Sequence, residues 1–155
     1  MLLSDSILSR LEYQHQTICE LIKGFSEKQL KHDINTGKWS IFENIIHLCA
    51  YQPIFIKRID LMLQTESPSF ERYIAENDSG FYECLKLSID EAISKINADR
   101  TVIISKLKGL DEDQLNKTGC HPKYGLFSIS KWTEFFLLHE AHHLWTIMQL
   151  SFSLS

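Results

Sequence analysis

The sequence predicts an all-α protein, a four-helix bundle with an internal two-helix duplication, built as a single domain over residues 1–155. Three observations predict it. Apolar residues recur at intervals of three and four through four long stretches, the period of a helix face. The chain holds only three Pro and six Gly, few enough to leave long elements unbroken. Helix-end motifs of the first half return, in the same order, in the second. With 44% hydrophobic residues the chain can bury a sizeable core, which excludes wholesale disorder.

Ser4 or Ser6 N-caps a first helix whose apolar face carries Ile7, Leu8, Leu11, Ile18, Leu21 and Ile22. Lys23-Gly24-Phe25 ends it: a cation in the last turn, Gly for a left-handed residue, and an apolar side chain folding back. After a connection, Ser40 and Glu43 form an S-x-x-E capping box that opens a second helix, Ser40 to Leu63. Pro53 lies inside it and is expected to kink or break it. Residues 64–77 contain Pro68 and read as a loop. A third helix is expected from Ser79 to Lys108, with Leu85, Ile89, Ile93, Ile96, Ile103, Ile104 and Leu107 facing the core. Lys108-Gly109-Leu110 closes it. A long connection through Cys120-His121-Pro122-Lys123-Tyr124-Gly125 leads to a fourth helix, capped by Ser128 or Ser130 and reaching Leu150. No stretch shows sustained strand-like alternation, and four long helices suit a bundle.

The duplication rests on two matches. Lys23-Gly24-Phe25-Ser26-Glu27-Lys28-Gln29-Leu30 parallels Lys108-Gly109-Leu110-Asp111-Glu112-Asp113-Gln114-Leu115. Lys38-Trp39-Ser40 followed by His47 parallels Lys131-Trp132-Thr133 followed by His139. Convergence of helix ends on similar residues is the plainer alternative. If the halves are copies, a pseudo-two-fold axis through the bundle turns His47 and His139 towards each other.

Composition narrows the function classes. Sixteen Lys+Arg against twenty Asp+Glu give a net charge of −4, and the absence of a basic run argues against nucleic acid as a partner. The cysteines Cys19, Cys49, Cys84 and Cys120 are widely spaced with no CxxC pair, which disfavours a zinc ribbon or a redox dithiol. Cys19, Cys49 and Cys84 fall in apolar-periodic segments and read as small hydrophobes. The N-terminus has Asp5 and no basic stretch, unlike a secretory leader. No uncharged apolar run approaches the roughly 20 residues of a membrane span, so no membrane is expected as a partner. A reduced, cytoplasmic protein is the expectation.

What composition leaves unexplained is seven histidines, three of them within residues 139–143. On a helix, His139 and His143 project only about 40° apart, so both imidazoles can reach one ion without backbone strain. A third ligand from a facing helix completes a tripod and leaves an open position. His47, in the apolar run Ile45-Ile46-His47-Leu48-Cys49-Ala50, is the candidate. A lone histidine on an apolar face is ordinarily a core residue with a hydrogen-bond partner; the pair and the duplication together shift the reading to a metal site. His142 could ligate in place of His143, although a place facing outward or behind the ligands suits it better. His15 and His32 read as surface residues. His121 reads as a loop residue, notable because its loop leads into the fourth helix.

His139-Glu140-Ala141-His142-His143 also matches H-E-x-x-H, the zinc metallopeptidase signature. Residues 151–155 offer no third ligand, and the chain lacks the strand-rich substrate platform of those peptidases. Glu140 is left as a general base, or as a solvated or ligand-orienting carboxylate.

Gly37-Lys38-Trp39-Ser40 leading through Glu43 to His47-Leu48, then His121-Pro122 with Gly125, then His139 and His143 in LLHEAHHLWTI, resembles the DinB-like superfamily. That superfamily includes bacillithiol S-transferase-like proteins. The resemblance covers nearly the whole chain. It implies a four-helix bundle with an internal duplication that binds a divalent metal through one helix-two His and an H-x-x-x-H pair on helix four. Carried across, these are His47, His139 and His143. The family's common pattern places a Gln two or three residues past the last His, where this chain has Leu144-Trp145-Thr146.

The resemblance also implies transfer of a low-molecular-weight thiol to an electrophile, with hydrolysis on the same triad as an alternative. Three neutral imidazoles leave the ion its positive charge, which lowers the pKa of a bound thiol or water. Zinc and nickel both suit such a set. A metal-binding, stress-associated protein without turnover is the remaining class. An anionic thiol predicts cations near the site, for which Lys57, Arg58 and Lys123 are candidates. The apolar run Thr133 to Leu138 and the tail Ile147 to Leu154 either fill the core or offer a homodimer surface.

Overall fold

The computed structural model describes residues 3–154. Met1 and Leu2, part of the segment read as carrying no leader, and Ser155 at the end of the tail lie outside them. The helices are α1 (Asp5–Tyr13), α2 (Thr17–Ile22), α3 (Glu27–Leu30), α4 (Ile41–Gln64), α5 (Ser79–Cys84), α6 (Ile89–Lys108), α7 (Glu112–Asn116) and α8 (Ile129–Ser151). Strands β1 (Thr118–His121) and β2 (Gly125–Ser128) form an antiparallel hairpin. Among the described residues no helix is long and apolar enough to cross a membrane.

The four legs of the bundle are α1–α2, α4, α6 and α8. α4 packs on both α6 and α8, while α1 packs on α6 and α8. The first and second legs therefore stand diagonally, as do the third and fourth, and the second and fourth are neighbours. Contacts along the α4–α8 seam run in opposite directions: Asn44 meets His143, His47 meets His139, and Phe55 stacks on Phe136 at 4.4 Å. The two helices are antiparallel. One apolar cluster joins the first half of α4 to the end of α8, and a second joins Tyr51–Met62 to Ile129–Leu137. The histidines lie where the two clusters meet.

A buried polar hub ties the legs together. Arg100 of α6 ion-pairs with Glu140 of α8, both 1% exposed. Arg100 also donates to Leu11 O and Gln52 Oε1, both at 3.2 Å, and meets His15 Nδ1 at 3.3 Å. Gln14 donates to Glu140 Oε1 at 2.9 Å and to Leu137 O at 2.8 Å. Every leg contributes, so each buried charge is paired and hydrogen-bonded, the condition for tolerating it in a core.

Several expectations are corrected here. The first helix tightens into a 3₁₀ turn at Gln14–Gln16, where Gln14 and His15 turn into the hub. His15 is consequently buried, not a surface residue. α4 runs unbroken through Pro53. The third helix is two helices, interrupted before Ser88, whose capping box with Glu91 repeats the Ser40–Glu43 arrangement. Ser128, and not Ser130, caps α8. The repeated K-G segments fold alike, each leading into a short helix with a Gln capping box, at Ser26–Gln29 and Asp111–Gln114. Their glycines differ: Gly24 is left-handed at φ 88°, whereas Gly109 lies at φ −82°. The K-W matches also differ in place, because Trp39 precedes the α4 cap while Trp132 lies inside α8.

The hairpin was not expected. Cys120 donates its N–H to Pro68 O at 2.8 Å, and Phe70 N–H donates to Cys120 O at 3.0 Å, which fastens the 64–77 loop to β1. Trp132 Nε1–H donates to Gly119 O at 3.1 Å and holds the hairpin on α8. Gly119 permits the approach: a Cβ there would stand 2.5 Å from Phe70 Cε2. All four cysteines are free. Cys19 is exposed, against expectation, while Cys49 and Cys84 are buried. Burial, with Cys84 beside it, pushes the Cys49 thiol up to about 12.

Candidate metal centre

The capping box of Ser40 and Glu43 fixes where α4 begins, and so which residues of its first turns face α8. Asn44, His47 and Tyr51 follow at intervals of three and four, on one face. His139 and His143 answer from α8. One ring nitrogen from each of His47, His139 and His143 lies within 4.8 Å of the other two. His47 Nε2 and His139 Nε2 are 2.9 Å apart, and the His47 and His143 ring centroids are 4.4 Å apart. Metal–nitrogen bonds of about 2.0–2.1 Å in a tetrahedral set place neighbouring ligand atoms about 3.3 Å apart, so little movement separates this cluster from a coordination sphere.

The hydrogen bonding favours an ion over a self-satisfied cluster. His143 Nδ1 meets Asn44 Oδ1 at 2.8 Å. Because that oxygen can only accept, the proton sits on Nδ1 and the Nε2 lone pair is left for a ligand bond. His47 Nδ1 and His139 Nδ1 are buried with no hydrogen-bond partner among the described residues. Three imidazoles thus share one mutual contact and one amide, a poor internal arrangement for buried polar groups. Burial, reinforced by His143, holds His47 at about 3. Burial, then His47, His142 and Arg58, holds His139 at about 3. Burial, with His139 and His142, does the same for His143, at about 3. All three are neutral at pH 7 and carry the lone pairs that a divalent cation needs.

The histidines form the floor of a cleft of about 700 Å³. Trp39 closes one side, its ring 5.0 Å from His47 and 6.2 Å from His143. Tyr51 lies 4.7 Å from His139, and Tyr73 lies 5.6 Å from His47. The hairpin supplies the opposite rim with His121, Pro122, Lys123 and Tyr124. His121 Nδ1 accepts from Lys123 N–H and Tyr124 N–H at 3.1 and 3.2 Å, so His121 shapes the turn as well as the rim.

The remaining candidates fall as follows. His142 is exposed and does not join the cluster. Glu140 is neither solvated nor against the histidines: it faces the hub, where Arg100 and Gln14 occupy its oxygens. It is therefore not placed to act as a base or to orient a ligand. Of the candidate cations, Arg58 and Lys123 line the cleft and Lys57 does not. Asn44, Trp39, Tyr51 and Tyr73 were not picked out as site residues by the sequence. Asn44 carried a usable signal, standing one helical turn before His47; Tyr73 lies in an irregular segment and carried none.

Comparison with known proteins agrees with this picture. A protein of Oceanobacillus iheyensis named "Putative metal-dependent hydrolase" is 27% identical over 125 residues, covering 81% of this chain and 72% of that one. A Bacillus cereus protein with the same name is 22% identical over 139 residues, covering 90% and 80%. The structure of YfiT from Bacillus subtilis, described as "a probable metal-dependent hydrolase with an unusual four-helix bundle topology", superposes with a TM-score of 0.82 at 18% identity, covering 97% of this chain and 86% of that one. TT2238, described as a four-helix bundle protein, superposes at 0.69 with 19% identity, over 94% and 98%. The DinB superfamily profile matches residues 10–147, and the chain belongs to that superfamily.

Proposed function

We propose that His47, His139 and His143 hold one divalent cation, zinc or nickel, and that the protein uses it to transfer a low-molecular-weight thiol to an electrophilic small molecule. The observation that carries the metal reading is the convergence of three neutral imidazoles within 4.8 Å on the floor of an open cleft. When bound, the ion supplies a positive charge that favours the anionic form of a small nucleophile, a thiol or a water. The chain supplies the rest. Asn44 fixes the tautomer and orientation of His143. Trp39 and Tyr51 wall the histidines with aromatic surface and leave the cleft side open.

Between the two nucleophiles, the disposition of Glu140 favours a thiol. A metal-assisted hydrolase commonly uses a carboxylate to take the proton of its water. Here the carboxylate next to His139 in sequence is locked to Arg100. A thiol needs no such base once its pKa falls towards neutrality. Hydrolysis is the second reading, favoured by the names of the relatives from Oceanobacillus and Bacillus.

Elemental analysis of the purified protein tests the first step. One divalent ion per chain, lost in both His47→Ala and His139→Ala, is the expected result; full occupancy in both variants rejects the triad. Thiol consumption with glutathione, bacillithiol or coenzyme A and a halogenated aromatic acceptor tests the second. Hydrolysis of a nitrophenyl ester without thiol turnover selects the alternative, and metal binding without either selects a protein that only carries the ion.

We also read the outer face of α8 as a homodimer contact. Phe136, Leu137 and Ile147 are spent in the core, but Leu138, Trp145 and Phe152 stand exposed at seven-residue spacing. Light scattering at two concentrations, on the native chain and on Trp145→Glu, tests this: a native dimer that the substitution splits is expected.

A further inference from the structure

Arg58 is a cation held in place without a counter-ion among the described residues. It stands three helical turns beyond His47 on α4, about 20° round the axis, so His47, Tyr51 and Arg58 form one stripe facing the cleft. Its Nη1 donates to Tyr51 Oη at 3.1 Å, and its Nη2 donates to the backbone oxygen of Glu71 at 3.0 Å. The guanidinium carbon lies 5.3 and 5.2 Å from the ring centroids of Phe70 and Trp132, an aromatic seat that fixes the group without neutralising it. The other two arginines that are not exposed each hold a glutamate, Arg10 with Glu134 and Arg100 with Glu140. Arg58 has no ion pair among the described residues, and Glu71 gives it a carbonyl and not a carboxylate.

Two further features aim this group at the reacting centre. Its charge is felt by His139 and by His121 on the opposite rim. Tyr51 Oη accepts from Arg58, so its own hydroxyl proton is left to donate, and among the described residues it has no acceptor. A guanidinium has five N–H donors and two are used here, so three remain beside that hydroxyl. This is a donor set for one planar monoanion. A more highly charged group would meet Glu71 and Glu76, which line the same cleft.

We infer that Arg58, with the Tyr51 hydroxyl, recognises a carboxylate carried by one of the small molecules that react at the histidines. Its link to the reaction rests on the proposed function; the binding itself does not. The carboxylate could belong to the thiol or to the acceptor, since the chemistry of recognition is the same.

Titration calorimetry of the purified protein with benzoate and with benzamide, its neutral counterpart, reads the site directly. Benzoate is expected to bind at least tenfold tighter. That preference should fall about tenfold to a hundredfold in Arg58→Gln and less in Arg58→Lys, with metal content and benzamide binding unchanged. Tyr51→Phe, which keeps the ring, should lose part of the preference and serves if Arg58→Gln unfolds. Equal or undetectable binding of the two probes by the native chain overturns the inference, as does a preference that survives Arg58→Gln and Tyr51→Phe or disappears instead in Lys123→Gln. A preparation that holds no metal yet shows the Arg58-dependent preference refutes the proposed function and leaves this site standing. With turnover in hand, 3-mercaptopropionate against 2-mercaptoethanol, and chlorodinitrobenzoate against chlorodinitrobenzene, identify the carrier. The pair whose KM ratio collapses in Arg58→Gln bears the carboxylate.

Discussion

His47 and His139, one on each of two antiparallel helices, meet through their Nε2 atoms at 2.9 Å. The contact follows from the bundle's diagonal order, which makes the second and fourth legs neighbours and sets the same depth of each against the other. His143 enters from one turn further along α8 and is held by Asn44 from one turn earlier on α4. The site is thus braced along its own seam.

Asn44 is the test of that brace. Asn44→Ala removes the acceptor that holds the His143 proton on Nδ1, and leaves the other tautomer free to form. Loss of such an outer partner typically weakens metal affinity 10–100-fold. Competition with a chromogenic chelator should show this shift, with the helical circular dichroism spectrum unchanged. Unchanged affinity would mean that packing against Trp39 alone orients the ring.

Glu140 separates the fold from the chemistry. Glu140→Gln leaves Arg100 buried without its counter-charge, and breaking such a pair costs about 3–5 kcal/mol. Arg100→Met should cost more, because Leu11 O, Gln52 and His15 lose their partner at the same time. Urea denaturation should rank the two in that order. Metal stoichiometry should stay at the native value in Glu140→Gln, since its carboxylate does not touch the histidines; loss of the ion there would restore Glu140 to the site.

How far the sequence could be read depended on how local each signal is. Helix periodicity and the Ser40–Glu43 box act within a few residues, so α4 and α8 and the face they share were legible, and with them His47, His139 and His143. The Ser88–Glu91 box is equally local, but apolar periodicity runs across it and hides the break. The hub was not legible. Gln14, His15, Gln52 and Glu140 look like surface residues until Arg100 from a distant helix meets them, and no spacing rule links α6 to α1. The hairpin was hidden for a different reason: strands of four residues carry too little alternation to register, and β1 owes its place to Pro68, Phe70 and Trp132.

The histidines also set a pH dependence. In the folded, metal-free chain His15 is lowered to about 4, by burial and then by Arg100. The triad stands at about 3. Unfolded imidazoles titrate near 6.5, so as pH falls the unfolded chain takes up protons first. The stability held in these groups is complete above about pH 6.5 and is lost as pH falls towards their folded values. Between pH 7 and pH 5, where carboxylates contribute little, each imidazole can remove up to about 1.4 kcal/mol per pH unit. Urea midpoints of chelated protein should drop steeply over that interval, and about half as much in His15→Gln combined with His139→Gln, which removes two of the four lowered imidazoles. A flat profile would mean that the rings are open to solvent.

Gly119→Ala probes the link between hairpin and cleft. The added Cβ would stand 2.5 Å from Phe70 Cε2 and 2.9 Å from Met62 Sδ. Met62 can flex, but Phe70 is wedged edge-on against Trp132 at 5.4 Å and carries the Arg58 guanidinium on its face. The hairpin has to move outward instead, straining the Trp132 Nε1–Gly119 O bond and shifting the His121–Tyr124 rim. Overpacking of this kind costs about 1–3 kcal/mol. A lower melting temperature is expected with metal content intact, because the added Cβ meets Phe70 and Met62 and not the three histidines. Benzoate affinity should fall as well, since the platform under Arg58 is displaced. A variant that melts like the native chain would show that β1 rides loosely on the bundle and that the rim of the cleft is set by the turn alone.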